Sequence, residues 1–355
     1  MLKSIQVRNF ACFNDHEYKM DFTKLNIIVG PNNSGKSAIF KALNFVRFHA
    51  VHPFAFPENW NTDYYELHDF HLAIYNHDTS KLMKIVVNYE DGAPIEANFG
   101  MRNQNLEDTY LKYGDKNAGD LRQSIHAKAA SKIWYLSSFR SIIPFRSQIG
   151  STESDKLQPI RPDCLNITQF LLERYNARDE ENWKAFEDWM EKIDPQIKLF
   201  KTSLKTIYSS LETNRFDGQN DININLNMQG SGIQSIISIV AAIVFSPKGN
   251  TIIIEEPENF LNSKTIEVLV DLFNHATKEW SKQIFVITHS WDILKQYISD
   301  IGAGTQRGAQ HVKANADEFS LFTITSNVGT DKITKYDLTN KQFNEVVSDF
   351  KQLWG

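Results

Sequence analysis

The chain holds only two cysteines, Cys12 and Cys164, among its 355 residues. Two thiols so far apart support neither a disulfide framework nor a zinc ribbon, and the reduced interior of a cell is their simplest home. Long apolar runs are missing as well. No stretch approaches the roughly 18 consecutive apolar residues of a membrane span, and the opening MLKSIQVRNF lacks the apolar core of a secretory signal. A cationic excess is absent too: Lys and Arg number 38 against 43 Asp and Glu, a net charge of −5. That excludes a uniformly basic nucleic-acid coat, although a local basic patch stays possible. Neither internal repeats of about 20–50 residues nor sustained heptads occur, which excludes solenoids and long coiled-coil arms. With 41% hydrophobic and 23% charged residues, the composition points to a soluble, cytoplasmic globular protein with a sizeable core and no membrane partner.

The apolar pattern changes period along the chain. Ser4 to Val7 reads as a short mixed strand. Leu25 to Val29 is a mostly apolar run ending at Gly30, as a buried central strand would. From Ser37 to about Phe48, Ile39, Phe40, Leu43 and Val46 recur at helical spacing. Lys84 to Tyr89 reads as a strand, whereas Ala93 to Gly119 is punctuated by Gly, Asn and Asp and reads as loop. Residues 165–194 carry two amphipathic helical patterns with Ile167, Phe170 and Leu171, then Trp183, Phe186, Trp189 and Met190, as apolar faces. Asp221 to Met228 alternates with period two. A helix-like apolar run from Ile233 to Phe245, a strand from Thr251 to Ile254, a helix from Ile266 to Ala276 and a strand from Gln283 to Ile287 follow. Strand and helix alternate strongly at the two ends of the chain and not in its middle. The expected class is therefore α/β with a mixed sheet, split by an insertion: residues 1–48 and 220–355 form a head, and 49–219 supply its remainder plus a compact, partly helical lid.

Gly30-Pro-Asn-Asn-Ser-Gly-Lys-Ser37 fits the G-x-x-x-x-G-K-[ST] phosphate-binding loop, in the required place between an apolar strand and a helix. Backbone N–H groups of such a loop curl around phosphates, and the next helix turns its positive end toward them. Gly30, Asn32, Asn33, Ser34, Gly35, Lys36 and Ser37 are thus candidate nucleotide-binding residues. Lys36 would reach the β- and γ-phosphates and the Ser37 hydroxyl would meet Mg²⁺. Asn33 tolerates the left-handed backbone that glycine often supplies.

Thr251-Ile-Ile-Ile-Glu-Glu-Pro-Glu reads as a Walker B strand, with acids delivered at its C-terminal end, the edge where ligands bind in open α/β sheets. Glu255 would lie near Mg²⁺, through water, and Glu256 would orient or deprotonate the attacking water. On its own, the same stretch is also a solvated acidic turn. His289 follows another apolar strand one helix further on, so the two strands can be neighbours and the imidazole can approach a γ-phosphate. Gly230-Ser-Gly232 by itself reads more readily as a plain turn than as a functional element. Before an apolar helix it makes a second anion-binding helix end, with Ser231 and Gly232 at its start.

Taken in this order, the four elements resemble the ABC-type ATPases of the SMC/RecF/OLD (overcoming-lysogenisation-defect) group. Ile5-Gln-Val-Arg-Asn-Phe10 and Phe13 resemble that group's N-terminal strand, and the Asn-Asn-Ser-Gly-Lys loop and Glu-Glu-Pro-Glu ending resemble its OLD-like and RecF-like branch. The likeness covers residues 1–48 and 228–292 and is loose between them. It implies an ATP-hydrolysing enzyme using ATP and Mg²⁺. Lys36 and Ser37 match the Walker A positions, Glu255 and Glu256 the Walker B acids, Ser231 and Gly232 the signature, and His289 the switch histidine. It further implies a homodimer, or a higher homo-oligomer, in which the P-loop of one copy and Ser231 of another enclose ATP. The favoured expectation is a regulator of a separate DNA-directed effector, a nuclease or toxin, in prokaryotic anti-phage defence. A RecF-like repair ATPase that binds DNA directly is the alternative.

This sequence departs from the branch in several places. Leu261 is followed by Asn262-Ser263 where OLD-like relatives carry His-Pro, and Glu255 stands where aspartate is common. Asp69 or His71 lies in the region of the Q-loop residue. After His289 no acidic cluster on apolar strands follows, so an in-chain TOPRIM nuclease is not expected. Between Lys132 and Ile149, Lys132, Arg140 and Arg146 interleave with Trp134, Tyr135, Phe139 and Phe145, without acids. That stretch fits a DNA-contacting face. It fits equally a brace of the lid or a nucleotide contact by Arg140 and Arg146, or an ordinary core strand with solvated flanks. His68, Asp69, His71, His77 and Asp78 have no zinc-ligand spacing. The acids between Asp179 and Glu191 read as solvated helix faces.

Overall fold

A computed structural model describes residues 1–32, 34–51, 61–62, 65–66, 73–90, 92–102, 105–113, 116–117, 132–140, 158–195, 197–201, 211–216, 221–302, 319–327 and 330–336. The chain opens with β1 (Leu2–Arg8), β2 (Tyr18–Asp21), β3 (Leu25–Val29) and α1 (Lys36–Val51). The short β4 (Asn61–Thr62) and β5 (Tyr65–Glu66) precede β6 (Met83–Tyr89), β7 (Ile95–Arg102), β8 (Asn105–Tyr113), β9 (Lys116–Asn117) and β10 (Ile133–Leu136). Then come α2 (Ile167–Asn176), α3 (Glu180–Ile193), β11 (Ile197–Lys201), β12 (Leu211–Phe216), β13 (Asp221–Asn225) and α4 (Ser231–Phe245). Last are β14 (Thr251–Glu255), α5 (Ser263–Lys278), β15 (Gln283–Thr288), α6 (Trp291–Gly302), β16 (Phe319–Asn327) and β17 (Thr330–Tyr336). Two compact units result. One comprises Met1–Ile133, Phe285–His289 and Tyr297–Gly355; the other comprises Trp134–Ile284 and Ser290–Gln296.

The first unit contains a sheet ordered β2-β1-β6-β7-β8-β9. Its neighbours are antiparallel, with Val7 opposite Ile85 and Val87 opposite Ile95. The loop expected over Ala93–Gly119 is instead largely strand. Gly100 falls at a break in the β7–β8 register, and Gly92, with φ +119°, turns the chain between β6 and β7. Both glycines serve a bulge and a hairpin, features a strand accommodates. Helix α1 lies against β1, β6 and β7, with Phe45 edge-on to Phe99 at 5.1 Å. The same unit holds β3, all five residues buried, paired in parallel with β16. On its other side lies the end of β15, where Phe285 meets the rings of Phe22 and Phe40 at 4.8 and 5.6 Å. A mostly apolar, fully buried strand such as β3 demands this cover.

The second unit is built around α4, buried from Ser235 to Phe245. Phe245 packs among Phe170, Trp183 and Phe186, ring centroids 5.7–6.1 Å away. Helix α3 buries Trp183, Phe186, Trp189, Met190 and Ile193, the face expected from its spacing. Strand β14 lies between β10 and the start of β15, where Thr251 donates to the Gln283 side chain at 2.8 Å. The alternation expected to run to Met228 stops at Asn225, and Leu226–Met228 forms a 3₁₀ turn that leads into α4. Asn262 caps α5, accepting the Thr265 N–H at 3.0 Å. The Asn-Ser that replaces His-Pro is thus a helix start. Among the described residues no helix is long and apolar enough to cross a membrane.

Candidate functional site

In the first unit the loop after β3 closes on itself. A Cβ at Gly30 would lie 2.2 Å from the Ile324 carbonyl oxygen and 2.7 Å from Ser34 Oγ, so only glycine fits. Gly35 has φ +93°, and a Cβ there would sit 2.3 Å from Cys12 Sγ. Lys36 is buried, and its ammonium donates to the carbonyls of Gly30 at 2.8 Å and Pro31 at 2.7 Å. Those bonds fold the side chain back over the loop. Helix α1 begins at Lys36 with no acidic residue in its first turn, so nothing on the helix itself cancels its positive end. Ser34 Oγ is buried and, among the described residues, without a hydrogen-bond partner. A tight cradle, a helix end, an ammonium and an orphaned hydroxyl suit a phosphate chain.

Asn32 is exposed and Ser37 half-buried in the first turn of α1. Asn33 lies outside the described residues. His289 is half-buried just past the end of β15, the strand beside β3. His77 is exposed in a 3₁₀ turn, and Asp78 accepts from Ser80 Oγ at 2.5 Å. His68, Asp69 and His71 lie outside the described residues. Among those described, no group of three His, Cys, Asp or Glu gathers as a metal site.

The second unit carries the acids. Buried β14 ends at Glu255, itself buried, and the chain turns sharply at Glu256, whose φ is +44°. Asn259 Nδ2 donates to Glu256 Oε2 at 2.9 Å. Glu255 carries carboxylate oxygens of the kind that Mg²⁺ takes. Ser231 is the exposed first residue of α4, and Gly230 is its cap. A Cβ on Gly232 would approach the Phe260 carbonyl oxygen to 2.5 Å. Large apolar side chains stand out in this unit: Phe139 is 75% exposed, Met228 75% and Phe260 71%.

Arg140 corrects one expectation. It is buried rather than displayed, and Trp134 and Tyr135 are buried strand residues beside it in sequence. Nε donates to Ser235 Oγ at 3.0 Å, Nη1 to the Glu255 carbonyl at 2.6 Å and to the Ser137 carbonyl, and Nη2 to the Glu256 carbonyl at 2.8 Å. With four of its five donors so engaged, the guanidinium faces inward and braces the turn at Glu255 and Glu256 rather than a DNA phosphate. Burial pulls its pKa below the ordinary value, against the opposing fields of Cys164, Glu258, Glu255 and Glu256. Lys132 is exposed, and Arg146 lies outside the described residues. Sequence reading passed over Ser235, Asn259 and the thiol beneath Gly35. Only Asn259, three residues after Glu256, carried a signal, the short polar spacing of a turn.

Known proteins resemble this chain in sequence and in fold. Residues 25–294 match a protein family described as "AAA domain, putative AbiEii toxin, Type IV TA system". An "ATP/GTP phosphatase" of Helicobacter pylori is 22% identical over 83% of this chain and 87% of its own length. An "OLD nuclease" of Thermus scotoductus is 24% identical over 82% of this chain, which spans 59% of that protein. In three dimensions the chain resembles an Smc head bound to the C-winged helix domain of ScpA. The TM-score is 0.59 at 13% identity, covering 95% of this chain and 98% of that one. An Smc head with an extended coiled coil, bound to the C-terminal domain of ScpA derived from Pyrococcus furiosus, gives 0.57 at 12%, covering 100% and 99%. The fold is that of an SMC-type ATPase head.

Proposed function

Because the chain belongs to this AAA-domain family of P-loop ATPases, we propose that it works as an ATP-driven dimeric switch controlling a DNA-directed effector. The observation that carries the reading is the cradle: Gly30 and Gly35 at positions closed to any Cβ, with Lys36 held over the loop at 2.7–2.8 Å. When bound, ATP with Mg²⁺ supplies the phosphoanhydride to be cleaved and an oxygen-seeking cation. Lys36 would exchange its two carbonyl partners for phosphate oxygens, and Ser34 Oγ would gain the partner it lacks. In the first unit Ser37 would meet the cation and His289 the γ-phosphate; in the second, Glu255 has the chemistry to meet a cation and Glu256 to take the proton of the attacking water.

Ser231, exposed at the start of a helix, has the chemistry to meet a phosphate of a second copy. The exposed Phe139, Met228 and Phe260 in the same unit would gain cover from such an association. Similarity to an OLD nuclease and to a family whose description names a toxin favours a nuclease or toxin as the effector, in phage defence. The reading is tested by weighing Glu256→Gln in solution with and without ATP and Mg²⁺, purified with its neighbouring gene products. Doubling of mass with ATP and a co-purifying effector are the expected results. A monomer under both conditions, with nothing co-purifying, overturns it.

A further inference from the structure

Glu256 occupies a backbone region that L-residues avoid at a cost of about 1–2 kcal/mol, and such a conformation lasts only where its surroundings enforce it. The enforcing group comes from far away in sequence. Arg140 donates to the carbonyls of Glu255 and Glu256, 115 and 116 residues further along the chain. It bonds the backbone oxygens of both acids and not their carboxylates. Two parallel donors from one planar fork fix the direction of two successive peptides more tightly than a flexible ammonium could. On the far side of the turn, Asn259 holds one oxygen of the Glu256 carboxylate. Backbone and side chain of the residue are thus set by separate partners.

The third arm of the guanidinium reaches Ser235 Oγ on α4. Ser235 stands four residues after Ser231, hence one turn along the same helix face. A single buried cation therefore joins the helix that begins with Ser231 to the turn that carries Glu256. A second tie runs beside it, the close approach of Gly232 to the Phe260 carbonyl.

We propose that Arg140 is a positioning residue for ATP hydrolysis, aiming the Glu256 carboxylate and linking that aim to the Ser231 end of α4. The inference rests on the reading of Glu256 as the group that activates water. Arg140→Lys keeps the charge but loses the fork, and Ser235→Ala removes the helix link alone. Turnover, nucleotide affinity and thermal unfolding are to be measured for both, alongside Glu256→Gln.

A displacement of catalytic groups by about 1 Å costs on the order of 100-fold. Arg140→Lys should therefore lose about that factor in kcat while binding ATP within about threefold of wild type; Ser235→Ala should show a smaller kcat loss, about three- to tenfold. Arg140→Lys with unchanged kcat, or with affinity and melting temperature falling together with turnover, overturns the proposal in favour of a plain structural staple. Should Arg140→Lys fail to fold, Ser235→Ala decides, and unchanged kcat there overturns it. Failure of the underlying reading looks different: Glu256→Gln would then hydrolyse ATP at the wild-type rate whatever the Arg140 variants do.

Discussion

Gly232 meets the carbonyl of Phe260 so closely that a Cβ would stand 2.5 Å from its oxygen. Helix α4 and the segment after Glu256 touch there backbone to backbone. Alanine is ordinarily worth about 1 kcal/mol over glycine inside a helix, which alone would make Gly232→Ala stabilising. The obstacle here is a carbonyl rather than the tip of a flexible side chain, and overpacking typically costs about 1–3 kcal/mol. The clash should win. Gly232→Ala is expected to lower the denaturant midpoint and to slow ATP turnover; a variant at least as stable as wild type would show that the contact yields freely.

At Gly35 two penalties coincide, a φ of +93° and the thiol of Cys12 where a Cβ would go. Gly35→Ala should lose nucleotide affinity by at least about tenfold, since left-handed backbone costs an L-residue about 1–2 kcal/mol before any clash is counted. Trimming the thiol in a Gly35→Ala, Cys12→Ala pair should recover only part of that loss. Titration with a fluorescent ATP analogue measures both, and full recovery in the pair would leave sterics as the sole cause.

Phe245 anchors the aromatic cluster of the second unit, against Phe170, Trp183 and Phe186. Truncating such a ring removes its burial and leaves a cavity that its rigid neighbours fill poorly. Phe245→Ala should cost about 3–5 kcal/mol in urea denaturation. The dependence on urea concentration should stay unchanged, because the surface exposed on unfolding is nearly the same.

Lys282 introduces a pH dependence. Its ammonium is buried and donates to the carbonyls of Ile243 and Val244 near the end of α4. Burial pulls its pKa from 10.5 down to about 7. Between those two values the unfolded chain holds a proton that the folded chain has released, so stability should rise with pH across the window. Below about 7 both forms are protonated and the burial cost is felt in full. One such group changes stability by at most about 1.4 kcal/mol per pH unit. The carbonyl end of α4, which favours the cation, works against the shift. Lys282→Met should flatten the profile of melting temperature between about pH 7 and 10; an identical rise in wild type and variant would assign it to other groups.

How much of this was legible before folding varies with the range of the interaction. The strand–loop–helix unit around Gly30–Ser37 was readable because its parts are contiguous, and β3 keeps the bounds that its apolar run predicts. The strand expected over Thr251–Ile254 was equally plain, and it runs one residue further, to Glu255. Strands β7 and β8 were hidden because glycine in a bulge and glycine in a loop look alike in sequence, and only a register with a neighbour separates them. In the basic stretch, the alternation of cations and aromatics could not tell a displayed arginine from a buried one.

The sequence by itself determined the strand–loop–helix order around Gly30–Ser37, the pair of acids closing an apolar strand and the serine–glycine pair before an apolar helix, since each depends on residues within a few positions of one another. Tertiary structure alone decided what Arg140 does. Its acceptors are backbone oxygens, which any residue supplies, and they lie 115 and 116 positions away. Residue identity carries no trace of such a contact. Folding converts an apparent surface cation into the buried fork that fixes the turn at Glu256.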